Sequence, residues 1–433
     1  MDTAGFNKEL LSFLQASPTA YHATSEMARR LTDAGFVALD ERDSWNLEAG
    51  KKYFVTRQDA SIIAFTTGNG EFARHGFRMA GGHTDSPALK VKPNPEMTGK
   101  GYFQLGVEVY GGPLFSTWFD RDLSLAGRVT FKDESGVLRN ALVNFEKAIA
   151  IVPSLAIHLN REANTGRNIN PQKEFPPVLG RLSKDEKADF RQILIEELAK
   201  NGDKAASVLD FELFFYDTQA PAIIGLNDEF IASARLDNLL SCFTSMQAMI
   251  DAGDSEYPTL LVCNDHEEVG SNSATGAQGP FLRQVLERIC GSSEALTRAM
   301  QNSVMISADN AHGIHPNYAD KHDGNHGPML NEGVVIKINA KQRYATTSET
   351  SSLIRDLYAK EDLPIQAFVG RTDMGCGSTI GPLTASELGV RTLDIGLPTF
   401  GMHSIRELAG TEDAVALAKV LTRFFKTESV IPH

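Results

Sequence analysis

Cysteine is scarce in this chain. Four residues, Cys242, Cys263, Cys290 and Cys376, stand far apart with no C-x-x-C pair. That excludes a disulfide framework and a zinc finger, fits a reducing compartment, and leaves the four as core or inert thiols. Basic runs are also missing. Lys and Arg number 42 against 55 Asp and Glu, a net charge of −13, so no nucleic-acid partner is expected, because phosphate contacts need clustered cations. No apolar run reaches the ~18 residues that would span a bilayer, so no membrane partner is expected either. The opening MDTAGFNKELLSFLQAS is amphipathic and lacks the apolar centre and small-residue cleavage site of a signal peptide, which points to the cytoplasm. A G-x-S-x-G elbow, a P-loop and a G-x-G-x-x-G after a strand are all absent, which removes serine-hydrolase and nucleotide readings. His266 precedes two glutamates, but no second His stands four positions on, so the helical H-E-x-x-H zinc motif is absent as well.

What is present describes a large water-borne protein. Hydrophobic residues make up 42% and charged residues 22% of 433, near the globular average. The length exceeds the ~250–300 residues at which single cores stop growing, so two domains, or one domain with an insertion, are expected. Helical spacing marks 6–15 and 24–35, and Ser61–Phe65 and Phe77–Ala80 read as strands, the second running into GGHTDSP. From Val91 to Ile231 short runs such as VEVYGG, AGRVTF and LDFELFFY, rich in β-branched and aromatic residues, indicate a β-rich insertion with one helix, Lys184–Lys200. After Ala232 strands and helices alternate: TLLVC, SVMIS, GVVIKI, IQAFV and RTLDI, with helices at 236–251, 280–290, 349–359 and 411–426. The last helix is expected to take Thr411 as N-cap. The fold class is α/β, a mixed or parallel sheet flanked by helices, carried by 1–91 and 232–433 and interrupted by a β-rich domain at 92–231.

Acids and histidines gather where strands end: His83 and Asp85 after FRMAGG, Glu267 and Glu268 after TLLVCND, Asp309 after SVMISA, and His403 beyond RTLDIG. Carboxyl ends of strands form the usual site crevice in open α/β sheets, so these loops can converge into a metal-binding set. His83 and Asp85, at i and i+2, point the same way from extended backbone, and the carboxylate can accept the imidazole N–H not used on a metal. A Gly-rich turn in which the pair merely bond each other is the structural alternative. Glu267 and Glu268 crowd like charges that a cation would neutralise; one can bind zinc while its neighbour acts as general base, unless the loop is simply solvated. Asp237 begins an amphipathic helix, where complementing the helix dipole would contribute about 0.3–1 kcal/mol and is an equally good reading. Asp309 could form an Asx turn, and His403 could be an ordinary loop histidine. His322 and His326 have i, i+4 spacing, but Gly324 and Asn325 between them favour a structural turn. His312 and His315 show no decisive local signal.

With these residues in hand, the chain closely resembles the aspartyl aminopeptidase family of co-catalytic zinc metallopeptidases. GGHTDSP, SARLDN, DHEEVGS, SADNAHGIHPNYADKHDGNH, KQRYATT and GMHSIRE carry the likeness in order over nearly the whole chain. The resemblance implies a zinc-exopeptidase-like fold whose insertion is a dimerisation domain, and two Zn2+ per subunit, with other divalent metals able to substitute. Asp237 would bridge the ions, His83 and Asp309 completing one site and Glu268 and His403 the other. Glu267 would be the general base, and Asp85 would orient His83. His158, in VPSLAIHLNR, would come from a neighbouring subunit to steady the oxyanion; a core histidine of the insertion is the alternative. Lys337, with Tyr344 and His312 beside it and Arg343 near, would form the substrate pocket, although a lysine snorkelling from a half-buried strand edge reads equally well. The implied reaction is removal of an N-terminal residue, acidic by preference, from a peptide with a free amine, by hydroxide activated between two zincs. The implied partner is a further copy of the chain, in a tetrahedral dodecamer built from dimers. Rival readings are a two-zinc carboxypeptidase or amide deacylase, and a non-catalytic scaffold stapled by metal.

Overall fold

A computed structural model describes residues 2–183 and 187–431. They fall into two compact units: Met1–Asp85 with Pro221–Met402 and Glu407–His433, and Ser86–Ala220 with His403–Arg406. Pairing explains the edges. Strand Ala88–Gly99 bonds to Tyr102–Tyr110 and Ala205–Asp217, which draws Ser86 onward into the second unit. Ala222–Ile224 pairs with Phe230–Ser233 and belongs to the first.

The first unit is built on a nine-stranded mixed sheet. At its centre Thr259–Asn264, Arg78–His83, Val304–Ala308 and Arg391–Gly396 run parallel in that spatial order. Because side chains alternate across a strand, Ala80, Leu261 and Cys263 enter one core while Met79, Leu260 and Val262 enter another on the opposite face. The first core packs against helices Thr3–Ala16, Ala20–Asp33, Leu236–Ala252, Ser348–Lys360 and Asp413–Phe425; the second packs against Phe281–Cys290, Ser293–Gln301 and Ile380–Leu388. Ser293–Gln301 and Ile380–Leu388 were not expected from the sequence. In the latter, Pro382 stands in the first helical turn, where an N–H has no partner within the helix. A smaller sheet of Ala222–Ile224, Phe230–Ser233, Glu407–Gly410, Pro398–Phe400 and Ala311–His312 completes this unit.

Two helix starts differ from expectation. Thr411 is not an N-cap: its hydroxyl donates to the carbonyls of Asp228 and Glu229, and the helix begins at Asp413, whose carboxylate accepts the N–H groups of Asn331 and Gly333. Asp237 and Asn238 have non-helical backbone angles, so regular helix starts only after Asn238.

The second unit is a six-stranded antiparallel sheet in the order Leu138–Asn144, Leu123–Asp133, Ala205–Asp217, Ala88–Gly99, Tyr102–Tyr110, Val178–Arg181. Helix Phe190–Lys200 lays Phe190, Leu194 and Leu198 into its core. That helix is shorter than the expected Lys184–Lys200, because Asp189 caps it by accepting the Gln192 N–H at 2.9 Å; residues 184–186 lie outside the described residues.

Phe243 on Leu236–Ala252 is fully buried and lies 5.2 Å edge-on from Phe6 and 5.5 Å from Phe13. Phe243→Ala is expected to lower the free energy of urea unfolding by about 3–5 kcal/mol through cavity formation. Leu226, wholly exposed, should tolerate the same truncation within about 0.5 kcal/mol.

Candidate metal centre

Four parallel strands deliver their carboxyl ends to one place. His83 closes its strand opposite Asn264, and the next residue, Thr84, is pinned by its N–H on Asn264 O at 2.8 Å and its hydroxyl on Ala60 O at 2.7 Å. Gly82 before it permits close approach, since a Cβ there would lie 3.2 Å from Asn238 Nδ2 and 3.4 Å from Ala308 O. Asp309 follows its strand with its N–H on Ile395 O at 2.9 Å. Gly396 alone fits opposite, because a Cβ would meet Asp309 O at 2.0 Å. Glu267 and Glu268 form a short 3-10 turn entered through left-handed His266, whose Nδ1 lies 2.9 Å from Ser273 Oγ and 3.1 Å from Thr275 Oγ1.

The side chains meet around His83, which is buried. Its Nδ1 donates toward Asp85, 3.1 Å from the backbone oxygen and 3.3 Å from Oδ1. Its Nε2 faces Asp237 Oδ1 at 3.4 Å, Asp309 Oδ1 at 3.8 Å and Glu267 Oε2 at 4.0 Å. Ligand atoms of His83, Asp237 and Glu268 all lie within 4.8 Å of one another. Asp85 has a second task that sequence spacing does not reveal: its two carboxylate oxygens accept the N–H groups of Glu267 and Glu268, each at 3.1 Å. One buried carboxylate therefore holds both the histidine ring and the acidic turn.

The electrostatics record the crowding. Burial pushes Glu267 up to about 8; the charge of His83 opposes this, and Asp309, Glu268 and Asp85 reinforce it. Burial alone would lower His83, but hydrogen bonds to Asp237, Asp309 and Asp85 and the charge of Glu267 raise it well above the usual histidine value. One imidazole with the carboxylates of Asp237, Glu268 and Asp309 is a nitrogen and oxygen donor set suited to zinc.

Lys337 is also buried here. Its ammonium donates to Asn310 O at 2.9 Å, lies 3.6 Å from Asp309 Oδ2 and sits 5.1 Å from the Tyr344 ring centre. It is 3% exposed, so the alternative of a snorkelling edge lysine does not hold. Burial raises the Tyr344 phenol, and a hydrogen bond with Cys376 adds to this. The His312 ring meets Phe368 edge-on at 5.9 Å. His322 and His326 lie in turns as expected, His326 Nδ1 bonding Asp323 at 2.6 Å. Cys242 is buried, its thiol donating to His83 O at 3.0 Å, and burial followed by Cys263 raises its pKa, in keeping with an inert role.

The remaining two expected site residues belong to the second unit. His403 has its Nδ1 3.0 Å from Gly112 O, and its backbone oxygen accepts the Leu114 N–H at 2.9 Å. His158 is exposed between exposed Ile157 and Leu159, which overturns the alternative of a core histidine.

Comparison with known proteins gives the family. Residues 13–425 match the family described as Aminopeptidase I zinc metalloprotease (M18). A probable M18 family aminopeptidase 2 from Pseudomonas aeruginosa (strain UCBPP-PA14) is 59% identical over 428 residues, 99% of each chain. Among solved structures, Ape4 in complex with Nbr1 superposes with a TM-score of 0.94 at 38% identity, covering 98% of this chain and 86% of that one. The S. cerevisiae mApe1 dodecamer superposes with a TM-score of 0.84 at 28% identity, covering 97% and 96%. Carboxypeptidase, deacylase and scaffold readings give way: the chain belongs to the M18 family of zinc metalloproteases and is an aminopeptidase.

Proposed function

We propose that this aminopeptidase works with two zinc ions and removes N-terminal residues, acidic ones by preference, from peptides with a free amine. The observation that carries the reading is the convergence of Asp85, Asp237, Glu267, Glu268 and Asp309 on one buried histidine. So many carboxylates in low dielectric call for more than one divalent cation. In this reading His83, Asp237, Glu268, Asp309 and His403 would hold the ions. Zinc, when bound, polarises the scissile carbonyl and brings the pKa of water near ~7. Glu267 takes the proton of the attacking water and returns it to the departing amine. Asp85 keeps His83 in one tautomer and Glu267 in reach.

Lys337 would read the substrate's side-chain carboxylate, with Tyr344 and His312 bordering the pocket. An ammonium has three donors, and the bond to Asn310 O accounts for one of them. His158 would act on a neighbouring subunit, a role consistent with its exposure. The second unit would serve as the dimerisation domain of a tetrahedral dodecamer; the dodecameric state of mApe1 supports self-association. The location would be cytoplasmic; among the described residues no helix is long and apolar enough to cross a membrane.

Glu267→Gln is expected to lower kcat by about 10²–10⁴ with zinc retained; unchanged turnover at full zinc occupancy would remove the base from the mechanism. Zinc analysis of the active protein should give two ions per subunit. N-terminal acetylation of a cleaved peptide should abolish its hydrolysis, and Lys337→Met should erase preference for Asp and Glu over Ala, by about 10-fold or more in relative kcat/KM. Sedimentation should show a mass many times that of one chain, and a monomer at working concentration would contradict the assembly.

A further inference from the structure

The last residue of the run GMHSIRE, Glu407, has no part in the mechanism above, yet it holds the ligand on which that mechanism centres. Asp237 (φ −83°, ψ 107°) and Asn238 (φ −123°, ψ 26°) are non-helical, and Arg235 before them is left-handed at φ 60°. Backbone of this shape cannot use a helix ladder for its N–H groups, so they need other acceptors. The Asp237 N–H donates to Glu407 Oε2 at 3.0 Å. On one side of it Arg235 Nε is tied to Ser17 O at 3.0 Å, and on the other Asn238 Nδ2 is tied to Ala308 O at 2.8 Å. Those contacts fix the flanks; Glu407 grips Asp237 itself.

The grip comes from a rigid base. Glu407 is 3% exposed and stands on strand Glu407–Gly410, opposite Ser233 in the ladder that precedes Arg235. Burying a carboxylate is unfavourable unless hydrogen bonds compensate, and a charged acceptor holds an N–H about twice as strongly as a neutral one. We infer that Glu407 is a positioning residue of the metal centre, clamping the backbone of Asp237 so that its carboxylate faces His83. The inference rests on the reading of Asp237 as a zinc ligand.

The experiment compares Glu407→Ala, Glu407→Gln, Glu407→Asp and Asp237→Asn in the full chain. Zinc affinity is read by competition with a chromogenic chelator, and the fold of the metal-free protein by circular dichroism. Loss of a partner that orients a ligand weakens metal binding by about 10–100-fold, which is the loss expected for Glu407→Ala and for Glu407→Asp, whose shorter side chain withdraws the acceptor. Glu407→Gln retains an oxygen at the same reach and should stay within about threefold of the parent. Affinity in folded Glu407→Ala equal to the parent overturns the inference, and if that variant does not fold, equal affinities for Glu407→Gln and Glu407→Asp overturn it. Parent-like zinc binding by Asp237→Asn would instead sink the ligand assignment itself, independently of Glu407.

Discussion

Like charge confined at the end of a buried sheet is the constraint from which the rest of the first unit follows. Two unit charges about 4 Å apart repel by ~4 kcal/mol at the effective dielectric of a protein surface, and four carboxylates lie at or within 4.0 Å of the His83 ring nitrogens. Both His83 and Glu267 are shifted toward their protonated forms, the direction that lessens this repulsion. A flexible loop would relieve it by moving apart. This chain prevents that by placing His83 and Asp309 directly at strand ends and by tying the acidic turn to Asp85 through two backbone bonds. The scaffold spends packing and hydrogen bonding to keep together groups that would otherwise separate, so the centre is preorganised for cations.

Much of this was legible in the sequence because the strands announce themselves. TLLVC, SVMIS and RTLDI are short, β-rich and bounded by polar turns, so the acids just beyond them could be assigned to one edge of a sheet, and the structure puts His83, Glu267, Glu268 and Asp309 there. Asp237 was harder: its surroundings read as an ordinary helix start, and only the ordered set of motifs raised it above that reading. The non-helical angles that turn it inward depend on Glu407, 170 positions later in the chain, a distance across which no local pattern carries information. The grip of Asp85 on residues 182 and 183 positions away escaped for the same reason.

Where the sequence misled, a tertiary contact had displaced a local preference. Thr411 has the right chemistry for an N-cap, but its hydroxyl is taken by the carbonyls of Asp228 and Glu229. Helix Ile380–Leu388 went unread, and its Gly381 is required because a Cβ would come within 2.4 Å of Asp394 Oδ1. Asp394 in turn accepts the Ala345 N–H at 2.6 Å and the Thr379 hydroxyl at 2.5 Å, fixing the segment that brings Tyr344 toward Lys337.

That last chain of contacts bears on how selectivity and metal binding are related. Lys337 lies 3.6 Å from Asp309 Oδ2 and is opposite Asp394 in the sheet register. In the proposed reading Asp309 is a zinc ligand and Lys337 reads the substrate, so one carboxylate faces a cation of the protein on one side and the metal site on the other. Replacing Lys337 removes a cation from beside Asp309, and a substrate carboxylate that draws the ammonium toward itself loosens the same contact. In that reading the pocket and the centre share one carboxylate, so a change of charge at Lys337 is felt at the metal site as well as at the substrate.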